Sequence, residues 1–191
     1  VDADEGSKSQ PTPEPTAPPS IAMMPEVPEA PKVLHLVLKP QPKPKRTPAY
    51  ADSPLGSYTQ QILATVASNR VTVIVAPTGC GKSTGIPQML LDENEERSIL
   101  VTQPRRVAAT SLARRVAQQR GVILGTEVGF KIGGCSEVSR SGRTKLTFAT
   151  TAIAMIQCIQ ECSTFTHLVI DEVHIRDQHI DFLLSLVVTR V

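Results

Sequence analysis

Val71-Thr72-Val73-Ile74-Val75-Ala76-Pro77-Thr78-Gly79-Cys80-Gly81-Lys82-Ser83-Thr84 is the stretch on which the fold turns. Its first five residues are apolar or β-branched, a short run bounded by turn residues and suited to a buried strand. Two glycines follow, and from residue 84 to 91 apolar side chains return at helical spacing. A strand, a glycine-bearing turn and a helix in immediate succession make a cradle for a phosphate chain. Such a ligand needs backbone N–H groups converging on it with no side chains in the way. The helix N-terminus adds positive potential at the same spot.

Thr78, Gly79, Cys80, Gly81, Lys82, Ser83 and Thr84 are therefore the candidate nucleotide-binding residues. In this P-loop pattern the lysine reaches the β- and γ-phosphates, and the hydroxyl of Ser83 completes a magnesium shell. The pattern ordinarily opens with glycine, and Ala76 stands in its place. Cys80 has two readings: a thiol whose pKa is lowered by the helix N-terminus, or a Ser-sized filler.

Outward from this stretch, short apolar segments at 71–75, 98–102, 145–149 and 167–170 alternate with helical patterns at 84–91, 107–119 and 152–160. Ile62, Leu63, Val66 and Ala67 add a helical pattern upstream. Strands alternating with helices imply an α/β fold, a mostly parallel sheet covered by helices on both faces. Such sheets take their ligands at the carboxyl ends of the strands. One of those ends is Leu168-Val169-Ile170-Asp171-Glu172. Asp171 is placed to hold magnesium, and Glu172 to orient and deprotonate an attacking water. Ser83 and Asp171 are thus the candidate metal ligands.

Composition sets off the first fifty residues. Of the 16 prolines, 12 fall between Pro11 and Pro48, so residues 1–50 read as a proline-rich, disordered leader open to protein partners, and 51–191 as one domain. Within the leader the apolar run 33–38 is either a strand docking on the core or a partner-binding motif. Between Gln103 and Lys145, nine basic residues face two acidic ones, a local surplus of seven that suits a polyanion or a solvated helical face. Aromatic residues are 3% of the chain, which favours backbone recognition over base stacking. Cys80, Cys135, Cys158 and Cys162 form no paired knuckles, so a structural zinc site is not expected. Free thiols and an acidic, polar start point to cytoplasm or nucleus, and no apolar run is long enough for a bilayer.

Asp171-Glu172-Val173-His174 resembles the D-E-x-H box of superfamily 2 helicases. Thr102-Gln103-Pro104-Arg105-Arg106-Val107-Ala108-Ala109 is similar to the DEAH-type motif that grips a nucleic-acid backbone. Gly85-Ile86-Pro87-Gln88 matches the family's Q-I-P-Q except at Gly85, and Phe148-Ala149-Thr150-Thr151-Ala152 resembles a second strand-contacting motif with Ala152 for glycine. The resemblance covers about residues 58–191. It implies a RecA-like P-loop domain, the first lobe of an ATP-dependent DExH/DEAH RNA helicase using ATP and Mg2+ and moving 3′ to 5′. It further implies RNA-backbone contacts from Gln103, Pro104, Arg105, Arg106, Thr150 and Thr151, adenine stacking by Arg115, and coupling by His174 to a second RecA-like lobe. Catalysis would rest on Lys82, Asp171, Glu172 and His174.

Ile175 stands where DEAH-type members commonly carry Glu, a departure touching nucleic-acid coupling more than phosphate binding. The chain is expected to be truncated before the second lobe, whose arginine fingers contribute orders of magnitude in rate, so alone it should hydrolyse poorly and unwind nothing. Two further readings compete with a motor. A non-motor RNA- or partner-binding module derived from such a lobe would account for Ile175. A different P-loop ATPase, such as a transporter or remodelling machine, would not call for Gln103-Pro104-Arg105-Arg106 or His174.

Overall fold

A computed structural model describes residues 33–37, 50–51, 53–160 and 165–190, all within the compact unit Pro31–Val191. The remainder of the leader and Cys162 lie outside the described residues. The elements, in chain order, are β1 (Val33–Val37), a 3-10 turn (Gly56–Tyr58), α1 (Thr59–Ser68), β2 (Val71–Val75), α2 (Lys82–Glu93), β3 (Ile99–Gln103) and α3 (Arg106–Arg120). Then follow β4 (Val128–Ile132), β5 (Cys135–Glu137), β6 (Leu146–Thr150), α4 (Thr151–Gln160), β7 (His167–Ile170) and α5 (Gln178–Arg190). Every strand and helix expected between residues 62 and 170 is present, with ends moved by no more than two positions, except that α1 begins three residues ahead of Ile62.

The main sheet runs β5-β4-β6-β3-β7 and is parallel apart from β5. Next to the middle strand β6, β3 is buried at all five positions. Alternation assigns its side chains to two cores. Ile99 and Val101 join Val169 and residues of α2 and α3, including Met89, Ala113 and Val116. Leu100 points the other way, to Ala149, Ala154 and Leu168. Helices cover both faces, as expected for an α/β domain. The largest fully buried side chain, Phe148 of β6, belongs to the α2–α3 side.

Two features depart from the expected single sheet. First, β2 is not laddered to the main sheet among the described residues; it pairs in parallel with β1, Val33↔Val71 through Val37↔Val75. The apolar island within the leader is therefore a strand. β2 remains part of the body, since Ile74 and Ala76 pack against the main core. Second, β4 and β5 form a hairpin that periodicity does not reveal: the three residues of β5 are all exposed and carry no apolar alternation. Gly129 permits this hairpin, since a Cβ there would lie 2.2 Å from the Glu137 carbonyl oxygen.

Helix ends carry their own signals. Gly121 closes α3 in the left-handed region, its N–H donating to the carbonyls of Ala117 and Gln118. Asp177 caps α5, its Oδ1 accepting from the Ile180 N–H at 2.8 Å. The far ends of α2 and α3 are clasped by Arg120, which reaches Asp92 and Glu127 at 2.7 Å each. Tyr50 packs over Gly85 of α2, and burial, with Asp92 beside it, pushes its phenol up to about 12.

Candidate nucleotide and nucleic-acid site

Chain connectivity fixes where α2 begins. Residues 94–98 are too few to cross the domain, so α2 runs back alongside β3. Twelve helical residues rise about 18 Å and five strand residues about 17 Å, so Lys82 stands level with the end of β3. The same edge receives Asp171, the residue after β7. Because Ile99 pairs with His167 and Val101 with Val169, Gln103 and Asp171 continue the face on which α2 and α3 pack. Lys82 and Asp171 thus share one edge and one face of the sheet.

Gly79 and Gly81 take positive φ angles of 78° and 98°, values that L side chains rarely adopt. At Gly81 a Cβ would also meet Ser53 at 3.1 Å, so the segment before α1 seats against the turn. The Lys82 amine folds back into the loop, donating to the carbonyls of Ala76 at 2.7 Å and Pro77 at 2.9 Å, with Cys80 Sγ at 3.8 Å. Cys80 is buried. The Ser83 hydroxyl has no protein partner among the described residues, and Thr84 Oγ1 lies 3.5 Å from the Gly81 carbonyl.

Across the edge, Asp171 Oδ2 accepts from Gln103 Nε2 at 2.5 Å, and its Oδ1 accepts from the Glu172 N–H at 2.9 Å. Glu172 is the single described non-glycine residue with positive φ, 53°. A side chain held there stores strain of about 1–2 kcal/mol, an arrangement typical of functional turns. Its Oε2 lies 3.3 Å from Nε2 of His174, whose side chain is 75% exposed.

The nucleic-acid candidates separate into two groups. Arg105 is exposed in extended backbone ahead of α3, with no ion pair among the described residues. Pro104 is half-buried beside it and Thr150 half-buried at the end of β6. Arg106 is exposed too, but its Nη2 donates to the Gly133 carbonyl at 2.7 Å, anchoring the β4–β5 hairpin. The side chains of Gln103 and Thr151 are placed differently. Gln103 is only 2% exposed and its amide is spent on Asp171. Thr151 is 3% exposed, and its hydroxyl donates to the Gln103 carbonyl at 3.4 Å. Neither side chain faces outward; both lie on the inner side of the strand ends. Arg115 is exposed midway along α3, without an ion pair among the described residues.

A metal held by one or two carboxylates plus phosphate oxygens needs no dense ligand cluster. Among the described residues no group of three or more His, Cys, Asp or Glu side chains is arranged to hold an ion. Asp171, with one hydrogen bond on each oxygen and lone pairs left over, and the unpaired Ser83 hydroxyl fit the sparser magnesium arrangement. Among the described residues no helix is long and apolar enough to cross a membrane.

A mostly parallel sheet flanked by helices, with a glycine turn opening one helix and a carboxylate pair ending one strand, defines a RecA-like nucleotide-binding domain. The chain belongs to the DEAD/DEAH box helicase family, whose model matches residues 57–188. It is 45% identical over 134 residues to the probable ATP-dependent RNA helicase spindle-E of Anopheles gambiae, a match covering 67% of this chain and 9% of that protein. To the human ATP-dependent RNA helicase TDRD9 it is 39% identical over 150 residues, 75% of this chain and 11% of that one. The chain spans about a tenth of the length of these curated relatives.

Proposed function

We propose that this chain supplies the first RecA-like lobe of an ATP-dependent RNA helicase of the DExH type. The carrying observation is the convergence of the Lys82 turn and Asp171 on one edge and one face of the sheet. ATP binding would exchange the loop carbonyls on the Lys82 amine for phosphate oxygens, a charge-assisted contact roughly twice as strong as a neutral one. Ser83 and Asp171 would hold magnesium, which neutralises charge developing on the phosphates. Glu172, lifted from the strand end by its left-handed backbone, orients and deprotonates the attacking water. His174, exposed beside it, would couple that turn to the second RecA-like lobe of the parent protein.

Arg105, with Pro104 and Thr150 near it, would meet the RNA backbone without regard to sequence. Arg106 would do so through the hairpin it anchors, and Arg115 would stack on the adenine. That the relatives bear the name ATP-dependent RNA helicase supports RNA as the polyanion. The decisive test is Glu172→Gln in the full-length parent protein. RNA-stimulated ATP hydrolysis should fall by at least about 100-fold with nucleotide binding retained; unchanged turnover rejects the mechanism. A second reading, a non-motor RNA-binding module, is favoured by Ile175 in place of the family's usual Glu. It predicts RNA binding by the parent with no ATP hydrolysis to lose.

A further inference from the structure

Gln103 is a polar side chain buried to 2% exposure at the last position of the interior strand β3, and the nucleotide chemistry described above does not use it. A buried amide costs free energy unless its hydrogen bonds are made, so its partners indicate what the position is for. Asp171 is one, and a carboxylate only accepts, which fixes the amide nitrogen toward it. The Thr151 hydroxyl, at the start of α4, is the second, donating to the Gln103 main-chain carbonyl. The third link is covalent: Pro104, Arg105 and Arg106 follow directly. One residue is thus joined to the carboxylate at the end of β7, to the β6–α4 junction and to the arginine-bearing entry of α3.

We infer that Gln103 is a positioning residue that couples polyanion binding at Arg105 to magnesium–nucleotide binding at Asp171. The inference rests on the reading of Asp171 as the magnesium-holding carboxylate. Asp171 Oδ2 is steered by the Gln103 amide and Oδ1 by the N–H of Glu172, so the carboxylate plane is set by two donors. Proline fixes φ at residue 104, which removes one of the few backbone torsions that could absorb a displacement of Arg105 before it reaches Gln103. A rotation of the Gln103 side chain removes or redirects one of the two donors that set the carboxylate plane. An outer partner of a metal-holding group characteristically changes metal affinity by about 10–100-fold when removed. Coupling between two ligands is a reciprocal free energy, so it is read from binding alone.

The experiment uses the full-length parent protein, a non-hydrolysable fluorescent ATP analogue, Mg2+ and a single-stranded oligoribonucleotide. In Gln103→Met, of similar volume but without the donor, the Mg2+ concentration for half-maximal analogue binding should rise about tenfold. The ratio of analogue affinities with and without RNA should fall toward one. RNA affinity without nucleotide should stay within about twofold of wild type, because Arg105 is untouched. Gln103→Asn keeps the amide but shortens its reach, and should move both readouts in the same direction by less. It also serves as the test if Gln103→Met does not fold.

Wild-type Mg2+ dependence and wild-type RNA coupling in the folded variant overturn the inference. So does a loss of nucleotide-free RNA affinity matching that of Arg105→Ala, which would make Gln103 an RNA contact. These outcomes are distinct from failure of the functional reading, which would show as wild-type protein with no Mg2+-dependent nucleotide binding at all.

Discussion

The two edges of the sheet treat their charges differently. Where β3 and β7 begin, charges pair with one another: Arg97 with Glu93, and Arg120 with both Asp92 and Glu127. Where β3, β6 and β7 end, Glu172 lies against His174 and Arg176 against Asp181, both pairs well exposed, but the three groups read as ligand-binding have no ion pair among the described residues. Lys82 rests on backbone carbonyls, Asp171 on a neutral amide, and Arg105 on no charged group among the described residues. The edge where the strands begin has closed its electrostatics within the fold. The other leaves Lys82, Asp171 and Arg105 to be met by a ligand, and also carries the strained Glu172. Stability and function are thus assigned to opposite ends of the same strands.

The largest effect that would sharpen this contrast is at Lys82. Lys82→Ala in the parent protein should weaken equilibrium binding of a fluorescent ATP analogue on the order of 100-fold while leaving the thermal midpoint nearly unmoved. A large loss of stability instead would show that the lysine serves the fold. Arg120→Ala should do the reverse. Two partly buried charge-assisted contacts are lost, destabilising the domain by about 2 kcal/mol in chemical denaturation with nucleotide affinity preserved.

A smaller effect, of opposite sign, belongs to Glu172. Replacement by glycine relieves the left-handed backbone and should raise stability by about 1 kcal/mol in the same denaturation measurement, while abolishing hydrolysis. A variant less stable than wild type would refute the strain. Smallest is a pH effect at the edge where the strands begin. Burial first, then Arg97, hold the His167 imidazole below its ordinary value. The folded state therefore prefers the neutral ring. Its contribution is whole above the unfolded pKa near 6.5 and is lost as pH falls from there toward the lower folded value. The thermal midpoint should drop between pH 7 and pH 5 more in wild type than in His167→Gln; parallel curves would remove histidine from the account.

Much of this was legible from residues alone. The strand–turn–helix at 71–84 and the Asp171-Glu172 strand end are local patterns, and the structure places both at the expected ends of elements. The β4–β5 hairpin was not legible, because the exposed Cys135, Ser136 and Glu137 lack alternation. The real partners of Gln103 and Thr151 were also out of reach. A polar residue at a strand end looks the same in a sequence whether its amide meets a solvent-borne phosphate or a neighbouring strand's carboxylate.

What the order of amino acids determined unaided is the succession of elements and the chemistry carried at their ends, since periodicity, glycine turns and caps act over a few residues. Tertiary structure alone decided that β2 pairs with β1 rather than with the main sheet, and that Gln103 meets Asp171, 68 positions along the chain. Those outcomes depend on which backbone edges and buried polar groups find one another once the chain has closed, and a carboxylate's partner is chosen by proximity in space.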